Sequence, residues 1–134
     1  MPVAEEKCIH PFELLRCFME FCVDKGKTSF PPLYTGARPW HELLYAMKDN
    51  LLPRFTELYC VSKFDWDGPH PTSRRWREIQ SCFSVSGICH LRGGSPRVYL
   101  YLDKKQENNP FNTNRELLEE MFNIASGIEG FFED

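Results

Sequence analysis

The turn Arg92-Gly93-Gly94-Ser95-Pro96 and the run that follows it constrain this chain more than any other feature. Gly-Gly next to Ser-Pro punctuates the backbone sharply. After it, Val98, Leu100 and Leu102 alternate with Tyr99 and Tyr101 across Arg97–Asp103. Period-two alternation gives a strand one apolar face. Before the turn, a partner strand is expected from about Ile79 through Phe83, Val85 and Ile88 to Leu91, and Gly87 within it suggests a bulge or a close backbone approach. Together the two runs predict an antiparallel β-hairpin. A hairpin by itself buries too little to be stable, so the flanking segments must supply a covering layer.

Those segments carry helical periodicity. Leu14, Leu15, Phe18, Met19 and Cys22 recur at helical spacing between Pro11 and Lys25, and Gly26 stands where a cap is expected. Trp40, Leu43, Leu44 and Met47 mark a second helix from Pro39 to about Leu51, stopped by Pro53. A last helix should start after Thr113, whose hydroxyl and the Glu116 carboxylate fit a capping box. Its apolar face is Leu117, Leu118, Met121, Phe122 and Ala125, and Gly127 ends it.

Between these elements, Thr28–Arg38 reads as an ordered loop pinned by Phe30, Leu33 and Tyr34. Phe55–Phe64 reads as an interior strand, Asp65–Ser73 as a loop, and Thr72 or Ser73 as the cap of a short helical turn through Arg77.

Helices and strands are therefore segregated, which favours an α+β fold: a small antiparallel sheet with a prominent hairpin in the C-terminal half and about three helices packed on it. A winged-helix-like arrangement, with the hairpin as the wing, is a variant, which a strand between the second helix and any third helix fits poorly. A length of 134 residues gives one domain. The expected division is a flexible N-terminus over 1–9, a compact domain over 10–127 and an acidic tail over 128–134.

Charge is uneven. Residues 1–62 are near balance, residues 63–105 hold eight Lys/Arg against four Asp/Glu, and residues 106–134 hold one against seven. The basic middle is rich in arginine and aromatics. Arg74, Arg75 and Arg77 surround Trp76, Arg92 and Arg97 flank the hairpin tip, and Tyr99 and Tyr101 share a strand face. Arginine and aromatic side chains dominate protein-binding hot spots. Hence the leading expectation is a non-enzymatic adaptor or regulatory module that binds a protein partner through these eight residues. Phe30, Trp40, Trp66, Phe131 and Phe132 are further candidate anchors, and the hairpin edge is a place where a partner strand can add. The alternative is an RNA or single-stranded nucleic-acid-binding domain, since guanidinium groups attract phosphates and rings stack on bases. Against that stands the net charge of −3.

Catalytic chemistry finds less support. Cys8, His10, Cys89 and His90 lack a zinc-knuckle spacing, and adjacent Cys89 and His90 on a strand would face opposite sides. No local signature frames a Cys–His nucleophile. Asp65, Asp67 and Glu78 make a metal-dependent hydrolase a distant third reading. No catalytic residue, metal ligand or cofactor is assigned. The opening Met-Pro-Val-Ala-Glu-Glu-Lys lacks the pattern of a secretory signal, and the six cysteines read as free thiols. An intracellular location, cytoplasmic or nuclear, with no membrane partner, is the resulting expectation.

Overall fold

The structure is a computed structural model that describes residues 11–33, 37–51, 54–55, 66–67, 70–71, 73–91, 97–101 and 115–132. Helix α1 spans Pro11–Asp24 and buries Leu14, Leu15, Phe18, Met19 and Cys22, the stripe read from the sequence. It ends in a Schellman motif. Gly26 adopts φ 92°, its N–H donates to the Val23 carbonyl at 2.9 Å, and the Lys27 N–H donates to the Cys22 carbonyl at 3.0 Å.

Helix α2 spans Arg38–Leu51 and buries Trp40, Leu43, Leu44, Met47 and Leu51. Before α2, however, Ser29–Phe30 forms strand β1 inside the segment read as a loop. Two residues are too few to show any period. Phe30 and Leu33 are buried as expected, while Tyr34 lies outside the described residues.

After α2, most of the expected strand over Phe55–Phe64 lies outside the described residues. Within the segment read as the Asp65–Ser73 loop, strands β2 (Trp66–Asp67) and β3 (His70–Pro71) pair antiparallel, with Trp66 opposite Pro71 and Asp67 opposite His70. This ribbon lies against α2.

The largest correction concerns residues 73–86. They form a full helix, α3 (Ser73–Ser86), not a short turn followed by a strand. Trp76, Ile79 and Phe83 are its buried residues, at i, i+3 and i+7. Gly87 is not a mid-strand bulge. Its φ of 66° and its N–H bond to the Phe83 carbonyl at 3.3 Å make it the left-handed residue that closes α3.

The hairpin itself forms, with shorter strands: β4 (Cys89–Leu91) and β5 (Val98–Leu100). Its connecting residues 92–96 lie outside the described set. Strand β5 is central, because β1 pairs on its other side: the sheet order is β1-β5-β4, antiparallel throughout. Helix α4 (Arg115–Ser126) completes the fold. Thus four helices and a three-stranded antiparallel sheet make an α+β domain among the described residues. The order is helix, strand, helix, two-stranded ribbon, helix, hairpin, helix, with β1 beside β5 and the β2–β3 ribbon carried between α2 and α3.

The core joins all four helices. Helix α1 packs on α3 and α4, and α2 packs on α4. Phe131 is fully buried and meets Trp40 edge-on at 4.9 Å and Phe18 at 6.1 Å. The acids of α4 take cations from the N-terminal half. Arg54 bridges Glu116 and Glu120 at 2.9 and 3.1 Å, and Lys25 meets Glu119 at 2.9 Å. Among the described residues no helix is long and apolar enough to cross a membrane.

Candidate functional site

The site begins with the hydrogen-bond parity of the hairpin. The Tyr101 N–H donates to the Ile88 carbonyl at 2.8 Å. Bonded and non-bonded pairs alternate along an antiparallel ladder. His90 and Tyr99 therefore form the next bonded pair, and the peptide groups of Cys89 and Leu91 point away from β5. Strand β4 is the edge of the sheet, so these groups face a side where no described strand pairs with them. An unpaired edge is a template for a further strand.

Beside this edge lies an open cavity of about 230 Å³, lined by Leu33, Phe83, Ser84, Gly87, Leu91 and Val98, with Cys89 and His90 completing the wall. Its walls come from three segments held in place by two tryptophans. The Trp76 indole N–H and the Gln80 amide both donate to the Leu33 carbonyl, at 2.9 and 2.8 Å. The Trp40 indole N–H donates to the Pro31 carbonyl at 2.9 Å. The Pro31–Leu33 segment is thereby tied to α2 and α3, which fixes Leu33 as one wall of the cavity. At the rim, Leu91 is 68% exposed.

The opposite face of the sheet is aromatic. Cross-strand His90 and Tyr99 have ring centroids 5.8 Å apart, and His90 and Tyr101 lie 4.4 Å apart at 31°. Tyr101 is 41% exposed.

The residues expected to form one basic-aromatic surface are only partly brought together. Trp76 is 4% exposed and edge-on to His41 at 4.8 Å, so it is a core residue, not a stacking platform. Arg97 is a clamp. Its guanidinium donates to the Gly130 and Phe131 carbonyls at 2.8 and 2.7 Å, to the Ser29 carbonyl at 3.2 Å and to Ser29 Oγ at 3.2 Å. Arg74 and Arg75 lie in the first turn of α3, and Arg77 is exposed on the same helix. Arg92 lies outside the described residues. Tyr99 and Tyr101 do share a face, as expected. Phe30, Trp40 and Phe131, expected as partly exposed anchors, are fully buried, and Phe132 is half-buried.

Cys89 and His90 do face opposite sides of β4: Cys89 stands with Leu100 and His90 with Tyr99. Among the described residues no group of three His, Cys, Asp or Glu is placed to hold a metal ion. Asp65 of the hydrolase reading is outside the described set, and Glu78 is exposed on α3. Burial pushes the Cys17 thiol up to about 12, with Glu20 and Glu13 adding to the shift. Burial likewise pushes Cys89 up to about 12 against an opposing pull from Arg16, and raises Cys22 further. These thiols are protonated at neutral pH, so they are poor nucleophiles, and Cys89 presents an uncharged surface to the cavity.

A pH dependence follows from these thiols. In the unfolded chain a thiol ionises near about 8.5, whereas the native fold holds the Cys17 and Cys89 protons to about 12. The native state binds those protons more tightly, so this stabilisation is complete below the unfolded value and is lost as pH rises toward 12. Urea midpoints at pH 8 and pH 10 should fall more for the wild type than for a Cys17→Ala, Cys89→Ala variant. Equal falls would contradict the assignment.

The candidate-site residues that sequence reading missed are Leu33, Phe83, Ser84 and the outward peptide groups of Cys89 and Leu91. The hairpin signal pointed to the edge; the helical signal in Trp76, Ile79 and Phe83 would have placed Phe83 beneath it. Comparison with known protein families, with curated proteins and with solved structures yields no match.

Proposed function

We propose that this domain is a non-enzymatic interaction module that binds a protein partner in extended form, as a strand added to the β4 edge. The observation that carries this reading is the open edge at Cys89 and Leu91 set directly beside an apolar cavity. Backbone pairing supplies affinity and alternate side chains supply selectivity in this mode. Pockets for cofactors and drug-sized ligands run roughly 300–1,000 Å³, so a cavity of about 230 Å³ suits one or two amino-acid side chains better. Arg77, on the α3 stripe that reaches the rim at Ser84, supplies electrostatic capture of an acidic flank.

The test is selection of displayed ten-residue peptides on the purified domain. Selected peptides should slow amide exchange at Cys89 and Leu91. Leu91→Lys should weaken them roughly thirtyfold, the size of a binding hot spot, with folding unchanged because Leu91 is exposed. Peptides that bind while leaving both amides unchanged would place the interface elsewhere.

A nucleic-acid reading rests on a different observation: three arginines in the first two turns of α3. Recognition helices contact bases through their N-terminal residues. Fluorescence anisotropy against labelled single- and double-stranded RNA and DNA separates the two. Salt-steep binding that is lost on Arg74→Glu, Arg75→Glu, Arg77→Glu would favour nucleic acid. No binding at low salt removes that reading.

A further inference from the structure

We infer that the segment accepted by the β4 edge has the pattern apolar, aromatic, apolar, and that its middle ring lies beside His90; this rests on the edge-docking reading above. The inference comes from ladder parity. An incoming strand can hydrogen-bond to Cys89 and Leu91, whose peptide groups face outward, and cannot bond to His90, whose groups are taken by Tyr99. Residues directly opposite one another share a sheet face. Two residues of the incoming strand therefore stand opposite Cys89 and Leu91, on the cavity side. The residue between them stands opposite His90, on the aromatic side.

That middle position is the close one. Non-hydrogen-bonded pairs in an antiparallel ladder bring Cα atoms to about 4.5 Å, nearer than bonded pairs. A ring placed there meets His90, which already lies against Tyr101 at 4.4 Å and Tyr99 at 5.8 Å. It extends an existing row. The sheet's own strands follow the same rule. Strand β5 is Val98-Tyr99-Leu100, with Val98 and Leu100 buried, and β4 is Cys89-His90-Leu91. A third strand that continues both faces has apolar side chains on one and a ring on the other. The cavity then holds the flanking apolar chains, which are the anchors, while the ring sets preference.

The probes are three fluorescein-labelled nine-residue peptides, identical except for the core: Leu-Tyr-Leu, Leu-Ser-Leu and Ser-Tyr-Ser. Leu-Tyr-Leu should bind the 134-residue chain. Leu-Ser-Leu should bind about fivefold more weakly, the size of a cross-strand aromatic pair. Ser-Tyr-Ser should lose binding. His90→Ala should make Leu-Tyr-Leu and Leu-Ser-Leu equal, and exchange protection should rise at the Cys89 and Leu91 amides but not at His90.

If Leu-Ser-Leu binds as tightly as Leu-Tyr-Leu, the pattern is wrong while edge docking stands. If Ser-Tyr-Ser binds as tightly as Leu-Tyr-Leu, the anchors are misassigned. If no peptide binds, or binding leaves the Cys89 and Leu91 amides unprotected, both the pattern and the docking reading fall. If sedimentation shows a dimer that Leu91→Lys converts to monomer, a second copy holds the edge and the inference is overturned.

Discussion

Trp40→Ala is expected to lower the unfolding free energy by about 3–5 kcal/mol, as for other buried large-to-small changes. The residue is fully buried, and its ring meets Phe131 at 4.9 Å and Phe30 at 6.3 Å. It therefore joins α2, the edge of β1 and the C-terminal turn in one contact set. Truncation leaves a void among these three segments and removes the donor at the Pro31 carbonyl. Against a typical domain stability of about 5–15 kcal/mol, the loss is large. Trp40→Phe separates the two causes. It keeps much of the ring packing and leaves the carbonyl without its partner, so it should cost about 1–2 kcal/mol for the bond, together with a smaller packing loss. Urea unfolding of both variants measures this. A Trp40→Ala protein within about 1 kcal/mol of wild type would mean that the packing around Phe131 is wrong.

The second large effect is expected at Arg97, where stability and binding readings diverge. As a clamp, Arg97 gathers three carbonyls and one hydroxyl from β1 and the C-terminal turn. Arg97→Ala should cost about 2–3 kcal/mol, because hydrogen bonds to a charged donor are lost in a half-buried site that water refills only in part. Amide exchange should quicken over residues 127–132. Arg97→Lys should recover little, since one ammonium cannot span the positions a planar guanidinium reaches. Peptide binding at β4 should persist wherever the variant remains folded. A variant of wild-type stability that no longer binds would restore Arg97 to the capture role read from its charge.

Much of the fold was legible because its long elements carry long patterns. Helices α1, α2 and α4 each repeat apolar residues over several turns, and the alternation Val98-Tyr99-Leu100 shows β5 directly. The misreading of α3 has a definite cause. Phe83, Val85 and Ile88 mimic strand spacing when read with the hairpin, and Val85 is apolar yet 88% exposed. A solvent-facing valine blurs the helical stripe of Trp76, Ile79 and Phe83. Strands β1, β2 and β3 have two residues each, below the length at which a period exists. At the candidate site, sequence adjacency misled. Arg74, Arg75, Trp76 and Arg77 look like one cluster, but a helix sends Trp76 inward and Arg77 outward. The partners of Arg97 lie more than thirty residues away in one direction and more than sixty in the other. The β4 edge is a property of strand order, which exists only once β1 has paired with β5.

Helix α3 divides its labour residue by residue. Trp76, Ile79 and Phe83 are committed to the interior, while Arg77, Ser81, Ser84 and Val85 are exposed. Changes in the first group carry a folding penalty; changes in the second carry almost none. Leu91 at the cavity rim belongs with the second group. On the edge-docking reading, Ser84 and Leu91 are cavity positions at which preference for a ligand can drift while the scaffold stays intact. A chain built this way can acquire new recognition in single steps, through viable intermediates, without first acquiring spare stability.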